Sequence, residues 1–129
     1  MELAFEKSGG LVPAIVQDAE SGEVLMLGFM NREALEETRR TGQAVFFSRS
    51  RNRLWRKGES SGHVLEVREM RVDCDADALL VRVAAKGPGV CHEGYRSCFF
   101  RLLNADGEAE VTETRTFEPA EVYGEEKKR

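Results

Sequence analysis

Leu11-Val12-Pro13-Ala14-Ile15-Val16-Gln17 and Val24-Leu25-Met26-Leu27-Gly28-Phe29 are two apolar runs separated by Asp18-Ala19-Glu20-Ser21-Gly22. Turn-forming residues between such runs predict a β-hairpin, so the chain opens in β structure. The clearest helix follows at once. Asn31 can cap its free amides, Glu33 suits the positive end of its dipole, and Gly42 can end it in a left-handed conformation. Met30 and Leu35 form the expected hydrophobic staple. Beyond Gln43, glycine-containing connections separate short strands expected over residues 44–48, 63–72, 79–84 and 98–103. The pattern predicts an α+β fold, mainly β, with a mixed or antiparallel sheet and one principal helix. A catalytic domain is expected over residues 1–103 and an acidic extension over 104–129, with a candidate strand at 111–117. Residues 124–129 offer almost nothing to bury and are expected to fray.

With 129 residues and 41% hydrophobic content, the chain suits one ordinary core. It opens without a basic leader and apolar core, and no apolar run approaches the roughly 20 residues that span a bilayer. A soluble, unexported protein is expected. Three cysteines, an odd number, argue against a disulfide framework and for a reducing compartment, the cytoplasm. The formal charge of −4 argues against nucleic-acid binding, yet Arg49, Arg51, Arg53, Arg56 and Lys57 put five cations into nine residues. That cluster reads either as an anion site or as a solvated strand edge.

Chemistry concentrates around Cys74, Cys91 and Cys98. Thiolates select a borderline-soft ion such as zinc, whereas Asp73, Asp75 and Asp77 offer the oxygens that suit magnesium. If residues 73–77 are extended, period-two geometry puts the three carboxylates on one face and Cys74 on the other. Their mutual repulsion then calls for a cation, hydrogen bonds or full hydration. The thiol spacing matches neither a Cys-x-x-Cys zinc knuckle nor a zinc-deaminase signature. Three protein ligands nevertheless suit a catalytic zinc, whose fourth position stays open for water. Each cysteine read alone is equally a small buried hydrophobe. His92, beside Cys91, is the preferred acid/base, because its ordinary pKa lies near neutrality; His63 reads as a strand residue. Leu54-Trp55-Arg56-Lys57-Gly58-Glu59-Ser60-Ser61-Gly62 holds the parts of a nucleotide pocket. There the indole can stack on a base, Lys57 and the serines can bind phosphate, and Glu59 can accept from a ribose hydroxyl or help hold a metal. The bland reading is a surface loop anchored by a buried tryptophan.

Four motifs in order resemble the phosphoribosyl-AMP cyclohydrolase family: Ser48-Arg49-Ser50-Arg51; Leu54 to Gly62 as quoted; Asp73-Cys74-Asp75-Ala76-Asp77; and Gly87-Pro88-Gly89-Val90-Cys91-His92-Glu93-Gly94-Tyr95-Arg96-Ser97-Cys98-Phe99. The resemblance spans roughly residues 9–103. It implies hydrolysis of the N1–C6 bond of the adenine ring of phosphoribosyl-AMP, a step of histidine biosynthesis, by an intertwined homodimer with metal sites near its interface. It also implies Zn2+ on Cys74, Cys91 and Cys98, with Cys74 from the opposite subunit, and Mg2+ on Asp73, Asp75 and Asp77. His92 matches the proton-transfer residue, and Arg49, Ser50, Trp55, Lys57, Glu59 and Ser60 fall in substrate-binding motifs. The residues after Leu103 are too few for the helical pyrophosphohydrolase domain fused to many relatives, so a monofunctional enzyme is expected. The competing reading is a zinc-stabilised RNA- or nucleotide-binding module, which explains the basic segment but not the three aspartates. A paralogue using another purine-like substrate is the third.

Overall fold

The computed structural model describes residues 2–123; the frayed end expected over 124–129 lies outside them. Strands β1 (Val12–Asp18) and β2 (Val24–Met30) form the expected antiparallel hairpin, with Val12 opposite Met30. Alternation along β1 buries Val12, Ala14 and Val16 on one face and turns Ile15 to the other. Helix α1 (Arg32–Thr41) begins where Asn31 Oδ1 accepts the Ala34 amide at 2.8 Å and ends at Gly42, φ 76°. Its buried residues are Ala34 and Thr38. The Val45 amide donates to Thr38 Oγ1 at 3.0 Å, which ties the helix to the next strand.

That strand, β3 (Val45–Ser48), pairs antiparallel with β4 (Arg53–Arg56), setting Phe46 opposite Trp55 with ring centroids 5.2 Å apart. β2 carries Gly28 where a Cβ would come 2.6 Å from the Phe46 ring, so the absence of a side chain lets the β3–β4 hairpin lie against β2. Strands β5 (Leu65–Val72) and β6 (Leu79–Ala85) are antiparallel, and β6 runs parallel to β1. The main sheet is therefore mixed, in the order β2-β1-β6-β5. Val12, Val16, Leu25, Leu65, Val81 and Val83 are fully buried beneath it. Each such side chain stabilises the fold by about 1.5–3 kcal/mol before conformational entropy is subtracted.

Three strand expectations shift at their ends. The strand foreseen over 63–72 starts at Leu65, because the Gly62 amide turns back onto Gly58 O at 2.7 Å. The one foreseen over 98–103 shrinks to β7 (Arg101–Leu103), because the Cys98 amide is taken by Leu25 O at 2.7 Å. The candidate strand at 111–117 is instead β8 (Ala109–Val111), paired with β7; residues 115–117 leave the ladder and bond to Glu93 and Gly94. A short helix α2 (Pro119–Tyr123) follows. No described helix is long and apolar enough to cross a membrane.

Candidate active site

Cys91 and Cys98 are brought together by a tight turn. The Val90 amide donates to Arg96 O and the Cys91 amide to Tyr95 O, both at 3.0 Å. The two thiols then share a hydrogen bond, the largest influence holding the Cys91 thiol below its ordinary value, at about 6. The Glu93 amide, 3.5 Å from Cys91 Sγ, and the positive charge of Lys57 act in the same direction, outweighing burial and the Glu93 carboxylate. Cys91 is buried and Cys98 exposed. At neutral pH the pair therefore presents an anionic sulfur beside an accessible one, the donor chemistry of a zinc site.

This turn is anchored to β2, an edge strand of the main sheet. Besides the Cys98 amide, buried Ser97 donates its hydroxyl to Val24 O at 2.8 Å and accepts the Phe99 amide at 2.9 Å. Arg96 reaches past the edge to the carboxylates of Asp18 and Glu23 in the β1–β2 connection. Asp18 is held below the usual carboxylate range, first by accepting the Glu20 amide and further by Ser21 and Arg96.

The aspartates occupy the β5–β6 turn, and the turn is not extended. Asp73 Oδ1 accepts the amides of Asp77 and Ala78 at 3.0 and 3.2 Å, and Ala76 takes a left-handed φ of 62°. The outcome expected from an extended segment is reached by another route: ligand oxygens of Asp73, Asp75 and Asp77 all lie within 4.8 Å of one another. They form the one cluster of three or more potential ligand groups among the described residues. A residue that the sequence reading missed, Lys7, stands 3.2 Å from Asp77 and 3.7 Å from Asp75. It arrives through a 3-10 turn (Phe5–Ser8) that follows the Ala4 amide bond to Ala76 O at 2.6 Å. Hydrogen bonding to Asp77 pushes the Asp75 carboxyl up, whereas Lys7 pulls Asp77 down. No local pattern around Lys7 points to this pairing.

Cys74 does not join the other two sulfurs within one chain. Ala14 is level with Leu79, so the turn preceding Leu79 lies towards the start of β1. Leu25, which holds Cys98, follows Val24, the partner of Gln17 near the end of β1. The sheet register thus puts Cys74 and Cys98 towards opposite ends of the sheet.

The expected substrate-binding residues gather around the β3–β4 hairpin. Ser50, Trp55, Glu59 and Ser60 line a cavity of about 220 Å³ with Ser48, Arg51 and Arg53. Arg49 belongs to an adjoining hollow of about 580 Å³, its guanidinium 4.1 Å from the Phe29 ring centroid. Glu59 accepts the Arg56 amide at 2.8 Å, which orders the loop after β4. The basic segment is divided: Arg56 donates to Gln43 Oε1 at 3.0 Å, and Lys57 is buried, its ammonium 5.9 Å from the Trp55 ring and close enough to act on Cys91. The positive charge of Lys57 links the nucleotide-pocket motif electrostatically to the thiol turn, a relation invisible in the linear order. His92 sits half-buried in the same turn as Cys91, beside Glu93. His63, expected in a strand, precedes β5, and its Nδ1–H donates to Gly89 O at 3.1 Å.

The sequence model of the phosphoribosyl-AMP cyclohydrolase family matches residues 26–100, which carry all four motifs. Similar proteins include the phosphoribosyl-AMP cyclohydrolase of Solibacter usitatus, 60% identical over 124 residues, with 96% of this chain and 98% of the relative covered. The phosphoribosyl-AMP cyclohydrolase of Nitratidesulfovibrio vulgaris is 56% identical over 119 residues, covering 92% and 94% of the two chains. That of Desulforapulum autotrophicum is 52% identical over 123 residues, covering 95% and 98%.

Proposed function

The chain belongs to the phosphoribosyl-AMP cyclohydrolase family, and on that premise we propose that it hydrolyses the N1–C6 bond of the adenine ring of phosphoribosyl-AMP in histidine biosynthesis. The observation that carries this reading is 60% identity to a phosphoribosyl-AMP cyclohydrolase across 96% of the chain. The electrostatics agree, because the ammonium of Lys57, beside Trp55 in the nucleotide-pocket motif, acts on the Cys91 thiol. In this reading Arg49, Ser50 and Ser60 hold phosphate oxygens, Trp55 offers its ring to the base, and Glu59 accepts from the ribose. Lys57 keeps positive charge beside the sulfurs, and His92 moves the proton to ring N1 as the bond to C6 breaks.

The donor sets fit the two metals. Cys91 and Cys98, one of them a thiolate at neutral pH, are two soft ligands, and Cys74 of a second copy would be the third. Magnesium would sit on Asp73, Asp75 and Asp77, whose oxygens already converge. Zinc, when bound, supplies a Lewis acid and lowers the pKa of water towards about 7. A homodimer would bring Cys74 of one copy to Cys91 and Cys98 of the other, which the separation within one chain calls for if all three hold zinc. It is also supported by exposed apolar side chains on the sheet and the β7–β8 hairpin, among them Leu27, Val72, Leu102, Leu103 and Val111. Three free thiols suit the reducing cytoplasm, where we place the protein.

The decisive experiment follows the absorbance of phosphoribosyl-AMP, whose chromophore changes when the purine ring opens, with zinc and magnesium supplied and withheld. Turnover lost on chelation and restored by the metals is expected. Full activity in chelated protein would reject the zinc assignment, and absence of turnover with both metals present would reject the substrate.

A further inference from the structure

Residues beyond β8 return to the thiol turn and bind it at several points. The Thr116 amide donates to Gly94 O at 2.8 Å and Arg115 Nε to Glu93 O at 2.9 Å. The Phe117 ring meets His63 edge-on at 5.1 Å, and His63 in turn donates to Gly89 O. Three glycines of the same loop leave room for these contacts. A Cβ on Gly87 would come 2.5 Å from the His63 ring, one on Gly89 would come 2.8 Å from Thr116 Oγ1, and one on Gly94 would come 2.6 Å from Phe117 O. So close an approach at Gly89 and Gly94 requires that the loop and the returning segment be shaped to each other, and Gly87 fits the same loop to His63.

We propose that Arg115–Phe117, acting through His63, form a clasp that positions the Cys91–His92 turn for the reaction, with Phe117 as a positioning residue. The segment lies after residue 100, where the family match ends. The clasp deepens the cyclohydrolase reading, since it rests on Cys91 and His92 being the working residues of that turn. It also gives the extension after Leu103 a task. The β7–β8 hairpin reverses the chain so that residues 115–117 can reach Glu93 and Gly94.

Two measurements on the full-length protein test this together. Amide hydrogen exchange reads the turn directly. Phe117→Ala is expected to raise exchange at Cys91 and Gly94 by up to about tenfold, the worth of one aromatic contact, while β5 and β6 stay protected. Steady-state kinetics should show the loss in kcat, with KM for phosphoribosyl-AMP held, and Phe117→Tyr, which keeps the ring, should restore both readouts. Arg115→Ala, which removes a single bond to the turn, should move both in the same direction by less. Unchanged exchange at the turn in Phe117→Ala overturns the proposal, as does faster exchange with an unchanged kcat. A wild-type protein that does not hydrolyse phosphoribosyl-AMP would sink the substrate assignment, whereas the exchange comparison still decides whether the clasp holds the turn.

Discussion

The two candidate metal centres are built in opposite ways. Around Cys91 the backbone is folded on itself, joined to β2 by Ser97 and Cys98, and tied to the β1–β2 connection by Arg96. Around Asp75 a short turn faces solvent and is steadied by the Asp73 side chain and by Lys7. The three carboxylates meet within one chain, because they are neighbours in sequence. The three thiols do not, because Cys74 lies towards the other end of the sheet. A thiol held as an anion is buried and surrounded by donors, whereas the carboxylates stay where water reaches them.

Removing a sulfur is the harshest way to break this contrast. Cys91→Ala should lower phosphoribosyl-AMP turnover by about 10³-fold, the several kcal/mol that a metal supplies as a Lewis acid, and zinc content by elemental analysis should fall with it. Asp75→Asn should retain measurable activity that rises with added magnesium, since two carboxylates and water remain to bind the ion. Equal losses from the two substitutions would erase the distinction.

Backbone strain separates the same regions. Gly94 has φ 100° and would place a Cβ 2.6 Å from Phe117 O, so Gly94→Ala should cost about 1–3 kcal/mol in chemical denaturation. Ala76 already bears a side chain at φ 62°. Ala76→Gly relieves that strain but loosens the unfolded chain, and the two effects offset to within about 1 kcal/mol. Similar stability changes from both variants would mean that the clasp does not constrain the turn.

How far each centre is legible in the sequence follows from the range of its contacts. Asp73, Asp75 and Asp77 meet for a local reason, so proximity was foreseeable even though the supposed extended geometry is replaced by a turn around Ala76. Cys91 and Cys98 needed the ladder from Val90 to Tyr95 and Arg96, which no spacing rule announces. Strand β4 escaped notice because Arg53 and Arg56 make it polar along its length, and its one large aromatic, Trp55, packs on Phe46 across the hairpin. Lys7 and Lys57 were opaque for the same physical reason: their partners are distant in the chain. The helix, by contrast, is announced by Asn31 and Gly42, whose capping roles are local.

Titration should show opposite behaviour at the two centres. Cys91 has its folded pKa lowered from 9.0 to about 6, so the folded protein holds fewer protons than the unfolded chain between those values. Its contribution to stability is therefore present in full above the unfolded pKa and is lost as pH falls through about 6. Thiolate absorbance of metal-free protein should show a step near pH 6 that disappears in Cys91→Ala. In the aspartate turn Asp75 is raised and Asp77 lowered, so one favours folding at low pH and the other at higher pH. These opposed signs offset in wild type, whereas Asp75→Asn leaves the Asp77 contribution alone, so its stability should fall more steeply than that of wild type as pH drops through the acid range.

The gentlest test removes Lys7. Its ammonium lies near Asp75 and Asp77 at exposed positions, where water and salt screen the attraction, so Lys7→Ala should leave the thermal midpoint almost unchanged. The same ammonium is raised above its ordinary pKa, chiefly by its hydrogen bond to Asp77, and stays charged at neutral pH. It therefore competes with any divalent cation for the same oxygens. Calorimetric titration should show Mg2+ binding severalfold more tightly to Lys7→Ala at low salt, with the gap narrowing as salt rises. Zinc content should change little, since Lys7 pairs with the carboxylates of Asp75 and Asp77, whereas the proposed zinc set takes from that turn the Cys74 sulfur. A gain in magnesium affinity that persists at high salt would mean that Lys7 shapes the turn instead of competing for it. Lost zinc would show that Lys7 also sets the position of Cys74 in that turn.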